Sequence, residues 1–139
     1  MTVTQGRGFT LSAPPQSTVE GALHGVLEPE GLQALEALLP RAEAAGGPRR
    51  LLLRTEAVTA AGPEALARWE ALHRRLAQGG WRTAYVDGRP WGRGLALRAM
   101  HAGGDPQGLA VPSERQARAW LAAQGTRVGA ARAALGAGR

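Results

Sequence analysis

Cysteine and lysine are both missing from these 139 residues. Without cysteine there is no disulfide, no thiolate nucleophile and no thiolate metal site. The same absence fits a reducing cytoplasm, which is the expected location. Without lysine, all 17 basic residues are arginine. Codon bias explains that economically, because Ala, Gly and Pro are abundant as well. Aromatic residues make up only 4% of the chain, so the core must be built from Leu, Ala and Val around a few tryptophans. No stretch approaches the roughly 18 apolar residues that span a bilayer, and Met1 to Ser12 holds no apolar signal core.

What is present is enough for one domain. Hydrophobic residues reach 44%, a composition that can bury a core rather than stay disordered. The formal charge is +6. Arginine is suited to anionic partners, but here it is scattered along the chain, whereas nucleic-acid binders gather it on one face. Trp91-Gly92-Arg93-Gly94 is a weak imitation of a phosphate loop, with no adjoining lysine. Nucleic acid is therefore not the expected partner.

Local patterns divide the chain into alternating elements. Residues 1–16 read as an extended lead-in, with Phe9-Thr10-Leu11 as a short edge strand. Residues 17–27 read as a strand with weak points at Gly21 and Gly25. Glu28-Pro29-Glu30 opens a helix over 30–45, with Leu32, Leu35, Leu38 and Leu39 on one face and a blemish at Pro40. Leu51-Leu52-Leu53 begins a strand buried on both faces, the parallel-sheet pattern. Gly62-Pro63-Glu64 opens a second helix, whose apolar face carries Leu66, Trp69, Leu72, His73 and Leu76 and which stops at Gly79-Gly80. A strand at 81–86, a helix at about 91–102, a short strand at 108–111 and a last helix after Pro112-Ser113 follow. Residues 125–139 read as a Gly/Ala/Arg tail. Strands separated by helices of this length require parallel crossovers.

No catalytic constellation stands out. His24, His73 and His101 lie far apart without metal-ligand spacing, and no metal or cofactor is expected. Asp87 and Asp105 sit among Gly and Pro, where turn chemistry accounts for them. The candidate functional spot is the strand-to-helix turn Val58-Thr59-Ala60-Ala61-Gly62. Ligands favour the carboxyl ends of parallel strands, which adds Thr55 and Glu56. Arg89 and Trp91 belong to the neighbouring loop, and an exposed Trp favours interfaces.

Four segments in this order resemble the STAS domain of bacterial anti-sigma-factor antagonists: GALHGVLEPEGLQALEALL, RRLLLRTEAVTAAG, LHRRLAQGGWRTAYV and GLAVPSERQARAWLA. The resemblance covers about residues 17–124. It implies an α/β fold with a mixed, mainly parallel sheet of about four or five strands and helices mainly on one side. It also implies a non-enzymatic regulatory module in a bacterial cytoplasm, whose protein partner is an anti-sigma kinase or another regulator. The alternative it carries is a lipid or small-anion binder of the STAS/Sec14 type. Antagonists of this family have Asp-Ser-Ser-Gly before the second helix, and the serine is a phosphoacceptor. Aligned on Gly62, this chain has Thr59 in place of the Asp and Ala60 in place of the acceptor. The implied partner-binding residues are Thr55, Glu56, Thr59, Ala60, Gly62, Arg89 and Trp91, with the phosphorylation switch lost.

Overall fold

The structure, a computed structural model, describes residues 2–6, 9–13 and 18–123. The expected tail at 125–139 lies outside these residues. The described chain runs β1 (Thr2–Gly6), β2 (Phe9–Ala13), β3 (Val19–Leu27), α1 (Pro29–Ala44), β4 (Arg50–Ala61), α2 (Pro63–Gln78), β5 (Arg82–Val86), α3 (Pro90–Ala102) and β6 (Gly108–Val111). A last helix, α4, covers residues 114–123.

The strands form one sheet in chain order, β1 to β6. β3, β4, β5 and β6 are parallel, while β1 and β2 add to β3 as antiparallel strands. The sheet is thus wider than the four or five strands expected. Residues 2–13, read from sequence as a lead-in, supply two strands rather than one short edge.

Alternation along β4 explains why three consecutive leucines are all buried. Leu51 and Leu53 face α1, α2 and α3 in the main core, with Leu35, Leu39, Trp69, Leu76 and Tyr85. Leu52 faces the opposite way and packs with Ala84, Val86, Ala117 and Leu121 beneath α4. A period of two on a strand covered on both sides produces this unbroken apolar run. Arg54 fixes α4 in place. It donates to Glu114 and to Glu20, and Arg118 of α4 reaches Glu20 at 2.8 Å.

The Gly-Gly pairs end their helices as expected. Gly46 and Gly80 adopt φ of 76° and 71°, a left-handed conformation that glycine takes without steric cost. α1 continues past Pro40 to Ala44.

The largest departure from expectation concerns residues 58–61, which are strand rather than turn. β4 is 12 residues long. Only Arg50–Arg54 pair with β5, so 55–61 overhang it and pair with β3 alone. The register with β3 shifts twice, between Ala22 and His24 and again between Gly25 and Val26. At each shift β4 carries one extra residue: two residues (Thr55, Glu56) stand opposite Leu23 alone, and Thr59 has no partner. These are β-bulges, which re-aim the side chains that follow. Gly25, the weak point noted in the sequence, lies beside the second bulge with φ of 72°.

Candidate functional site

α1 and α2 both begin at the carboxyl end of the parallel strands. Each has proline in its first turn, and neither has a side-chain cap. Proline suits that position because its missing N–H would lack a helical partner anyway. Between the two helix starts lies a groove of about 390 Å³, lined by Val26, Leu27, Glu28, Pro29, Gly62, Pro63, Glu64 and Ala65. Val26 is 56% exposed at its edge.

Beside the groove, the loop after β5 builds a compact polar box. Asp87 is fully buried. Its carboxylate accepts from Thr55 Oγ1 at 3.0 Å, from the Arg89 backbone N–H at 2.9 Å and from Arg89 Nε at 3.0 Å. Arg89 also donates to the backbone carbonyls of Thr55 and Val58, both at 2.7 Å. Carbonyls three residues apart on a regular strand point to opposite edges. The extra residue at the first bulge turns Val58 back onto the side of Thr55, and one guanidinium takes both. Burial alone would push the Asp87 carboxyl upward, but the Arg89 hydrogen bonds and charge, with Thr55, hold it below its ordinary value.

Gly92 makes room for this box. A Cβ there would lie 1.7 Å from Asp87 Oδ2. Trp91, 48% exposed, has its ring 5.1 Å from the Arg89 guanidinium carbon. The contact holds a large apolar ring in one place at the surface.

The seven residues expected at the site therefore divide into two sets. Thr55, Arg89 and Trp91 are brought together around Asp87. Thr55 is only 1% exposed, so it supports the site and does not face a partner. Arg89 spends its guanidinium on Asp87 and β4, which leaves Trp91 as the outward part of that loop. Glu56, Thr59 and Ala60 are exposed along the overhang of β4, and Gly62 is exposed at the N-cap of α2. Asp87, set aside in the sequence as a turn residue, is the centre of the arrangement. The available signal was its place directly after a strand, five residues before a helical glycine.

A second polar chain is wholly internal. Trp69 Nε1 donates to Tyr85 Oη at 2.7 Å, Tyr85 Oη lies 2.6 Å from His73 Nε2, and His73 Nδ1 lies 2.8 Å from Asp105 Oδ2. The His73 and Asp105 side chains have no exposure. An Asp-His pair of this shape serves general-base catalysis where a substrate can reach it, but here every group is shielded and spent on its neighbours. Burial pushes the Tyr85 hydroxyl above its ordinary pKa, and nearby Asp105 adds to this against the opposing Trp69 hydrogen bond. The folded state therefore holds the phenol proton more tightly than the unfolded chain. That contribution to stability is complete below the unfolded value of about 10 and is lost as pH rises above it. Tyr85 is the only tyrosine, so phenolate absorbance near 295 nm should appear together with loss of helical circular dichroism. Phenolate formation in a still-folded protein would overturn the assignment.

Among the described residues, no group of three or more His, Cys, Asp or Glu side chains is arranged to hold a metal ion. No described helix is long and apolar enough to cross a membrane.

No protein-family model matches the chain, and no curated protein sequence matches it significantly. A solved structure of the anti-sigma factor antagonist SpoIIAA in its unphosphorylated form is similar in fold. The TM-score is 0.55 and the identity 19%, over 78% of this chain and 91% of that one. The likeness establishes a STAS-like α/β fold.

Proposed function

We propose that this chain is a non-enzymatic, STAS-like regulatory module that binds a protein partner at the carboxyl end of its sheet, without a phosphoacceptor serine. The observation that carries the reading is the surface formed by the overhang of β4 and the pinned Trp91. Thr59, Ala60 and Gly62 are exposed there, and Trp91 stands half-exposed beside Arg89, whose guanidinium is engaged by Asp87 and β4. A rigid aromatic anchor of this kind loses little freedom on binding and is typical of interface hot spots. The similarity in fold to an anti-sigma factor antagonist favours a regulatory protein as the partner. An anti-sigma kinase is the specific candidate, and a bacterial cytoplasm the setting.

The position aligned with the acceptor is Ala60, which has no hydroxyl. Binding is then constitutive with respect to phosphorylation at that position. A lipid or small-anion ligand is the less favoured reading, because Trp69, Leu72, His73, Leu76, Tyr85 and Met100 fill the space between α2, α3 and the sheet.

Affinity capture from the native host tests the surface. Recovery of the partner should fall by about tenfold or more with Trp91→Ala, the usual loss for an aromatic hot spot. Thr59→Glu should reduce it as well. Unchanged recovery with both variants, each verified as folded, would remove this face from consideration. Phosphate transfer to Thr59 by a cognate kinase would contradict the lost switch.

A further inference from the structure

The groove between α1 and α2 carries information about the chemistry of its occupant. Its floor and walls are apolar, from Val26, Leu27, Pro29, Pro63 and Ala65. Its surroundings are acidic, on a chain whose formal charge is +6. Glu28 and Glu64 line it, and Glu30 stands on the first turn of α1. Acids elsewhere are mostly spent within the molecule. Glu20 and Glu114 engage Arg54 and Arg118, Glu36 meets Arg68, Glu43 meets Arg75, Asp87 holds Arg89 and Asp105 contacts His73. Glu28, Glu30 and Glu64 form no side-chain hydrogen bond or ion pair among the described residues. Helix dipoles favour acids at all three positions, and their convergence on one apolar groove gives that groove its sign, whereas Glu56 on β4 lies in the field of Arg89.

The geometry points to a cationic, amphipathic protein segment as the occupant. Such a segment would seat one or two apolar side chains against Val26, Pro29 and Pro63. Its Lys or Arg residues would reach these three carboxylates. This rests on the reading of the carboxyl end as a partner surface and adds the partner's chemistry to it. The sign is informative because the net charge of the whole protein repels cations. Selection of a cationic ligand would have to come from local complementarity.

The test uses two labelled helical peptides of about 18 residues. One carries Leu on one face and Lys on the other. Its twin carries Glu in place of Lys. Fluorescence anisotropy with the full-length protein should show the Lys peptide binding about tenfold or more tightly than the Glu peptide, with the preference shrinking as salt rises from roughly 50 to 500 mM. The Glu28→Lys/Glu64→Lys double variant should abolish the preference while retaining the wild-type circular dichroism spectrum. Backbone NMR shifts caused by the Lys peptide should map to residues 26–30 and 62–65. Equal or tighter binding of the Glu peptide would overturn the assignment, as would shifts that map elsewhere. Binding to vesicles of phosphatidylcholine and phosphatidylserine in place of the peptide would overturn it in favour of a lipid surface. If the Lys peptide fails while Trp91→Ala still abolishes partner capture, the partner surface stands and only the cationic chemistry falls.

Discussion

Replacing His73 with alanine should lower the unfolding free energy by about 3–5 kcal/mol, a large share of the stability of a domain this size. The reason is the position of the imidazole between two other buried groups. Trp69 donates to the Tyr85 oxygen, which leaves the phenol hydrogen for His73 Nε2 and the Nδ1–H of His73 for Asp105. Asp105 also accepts from the backbone N–H of Gln107 at 3.0 Å. Removing the ring leaves a carboxyl without its main partner, a hydroxyl without an acceptor and a cavity beside Trp69. Each of these is costly alone. Urea denaturation of His73→Ala against Trp91→Ala measures the effect. The Trp91 variant removes surface area only and should stay within about 1 kcal/mol of wild type. A loss below about 1 kcal/mol for His73→Ala would show that water replaces the imidazole easily and that the chain is not a structural unit.

Two glycines two residues apart on α3 should respond in opposite directions to alanine. At Gly92, the new methyl group would overlap the Asp87 carboxylate. That carboxylate is held by Thr55 and Arg89 and has no free side on which to retreat. Gly92→Ala should therefore cost about 2–4 kcal/mol and break the ion pair. At Gly94, nothing lies within 4 Å of the added Cβ. Alanine there should stabilise the protein by up to about 1 kcal/mol through helix propensity. Thermal denaturation of the two variants side by side checks both signs. Gly92→Ala should also weaken partner capture beyond its effect on folding, because Trp91 depends on Arg89 for its position. Equal effects at the two glycines would mean that the Asp87 box does not constrain α3.

The order of the main elements is legible in the sequence because each depends on short-range patterns. Leu32, Leu35 and Leu39 declare a helix face, and Leu51 to Leu53 declare a doubly covered strand. Gly46-Gly47 and Gly79-Gly80 declare helix ends. The strand content of Thr59 to Ala61 was hidden because Thr-Ala-Ala-Gly has the composition of a turn. Pairing with β3 and two bulges make it strand, and both are long-range effects. Asp87 and Asp105 were hidden for a related reason. Each lies in a Gly/Pro context that already satisfies a local explanation. Their burial depends on Arg89 and His73, and His73 arrives from a different helix. The residues singled out from the sequence lie together near the carboxyl end of the sheet. The division between supporting residues, such as Thr55 and Arg89, and outward ones, such as Trp91, required their contacts.

The overhang of β4 has a consequence for colloidal behaviour. A strand that outruns its neighbour offers bare backbone groups, a ready template for the strand of another molecule and a common origin of aggregation. Here one guanidinium occupies two of those carbonyls, at Thr55 and Val58. A second copy approaching along the same edge would meet an occupied acceptor row and a like charge. The arginine that positions Trp91 is thus also a stopper, keeping the exposed half of the strand from recruiting copies of its own chain.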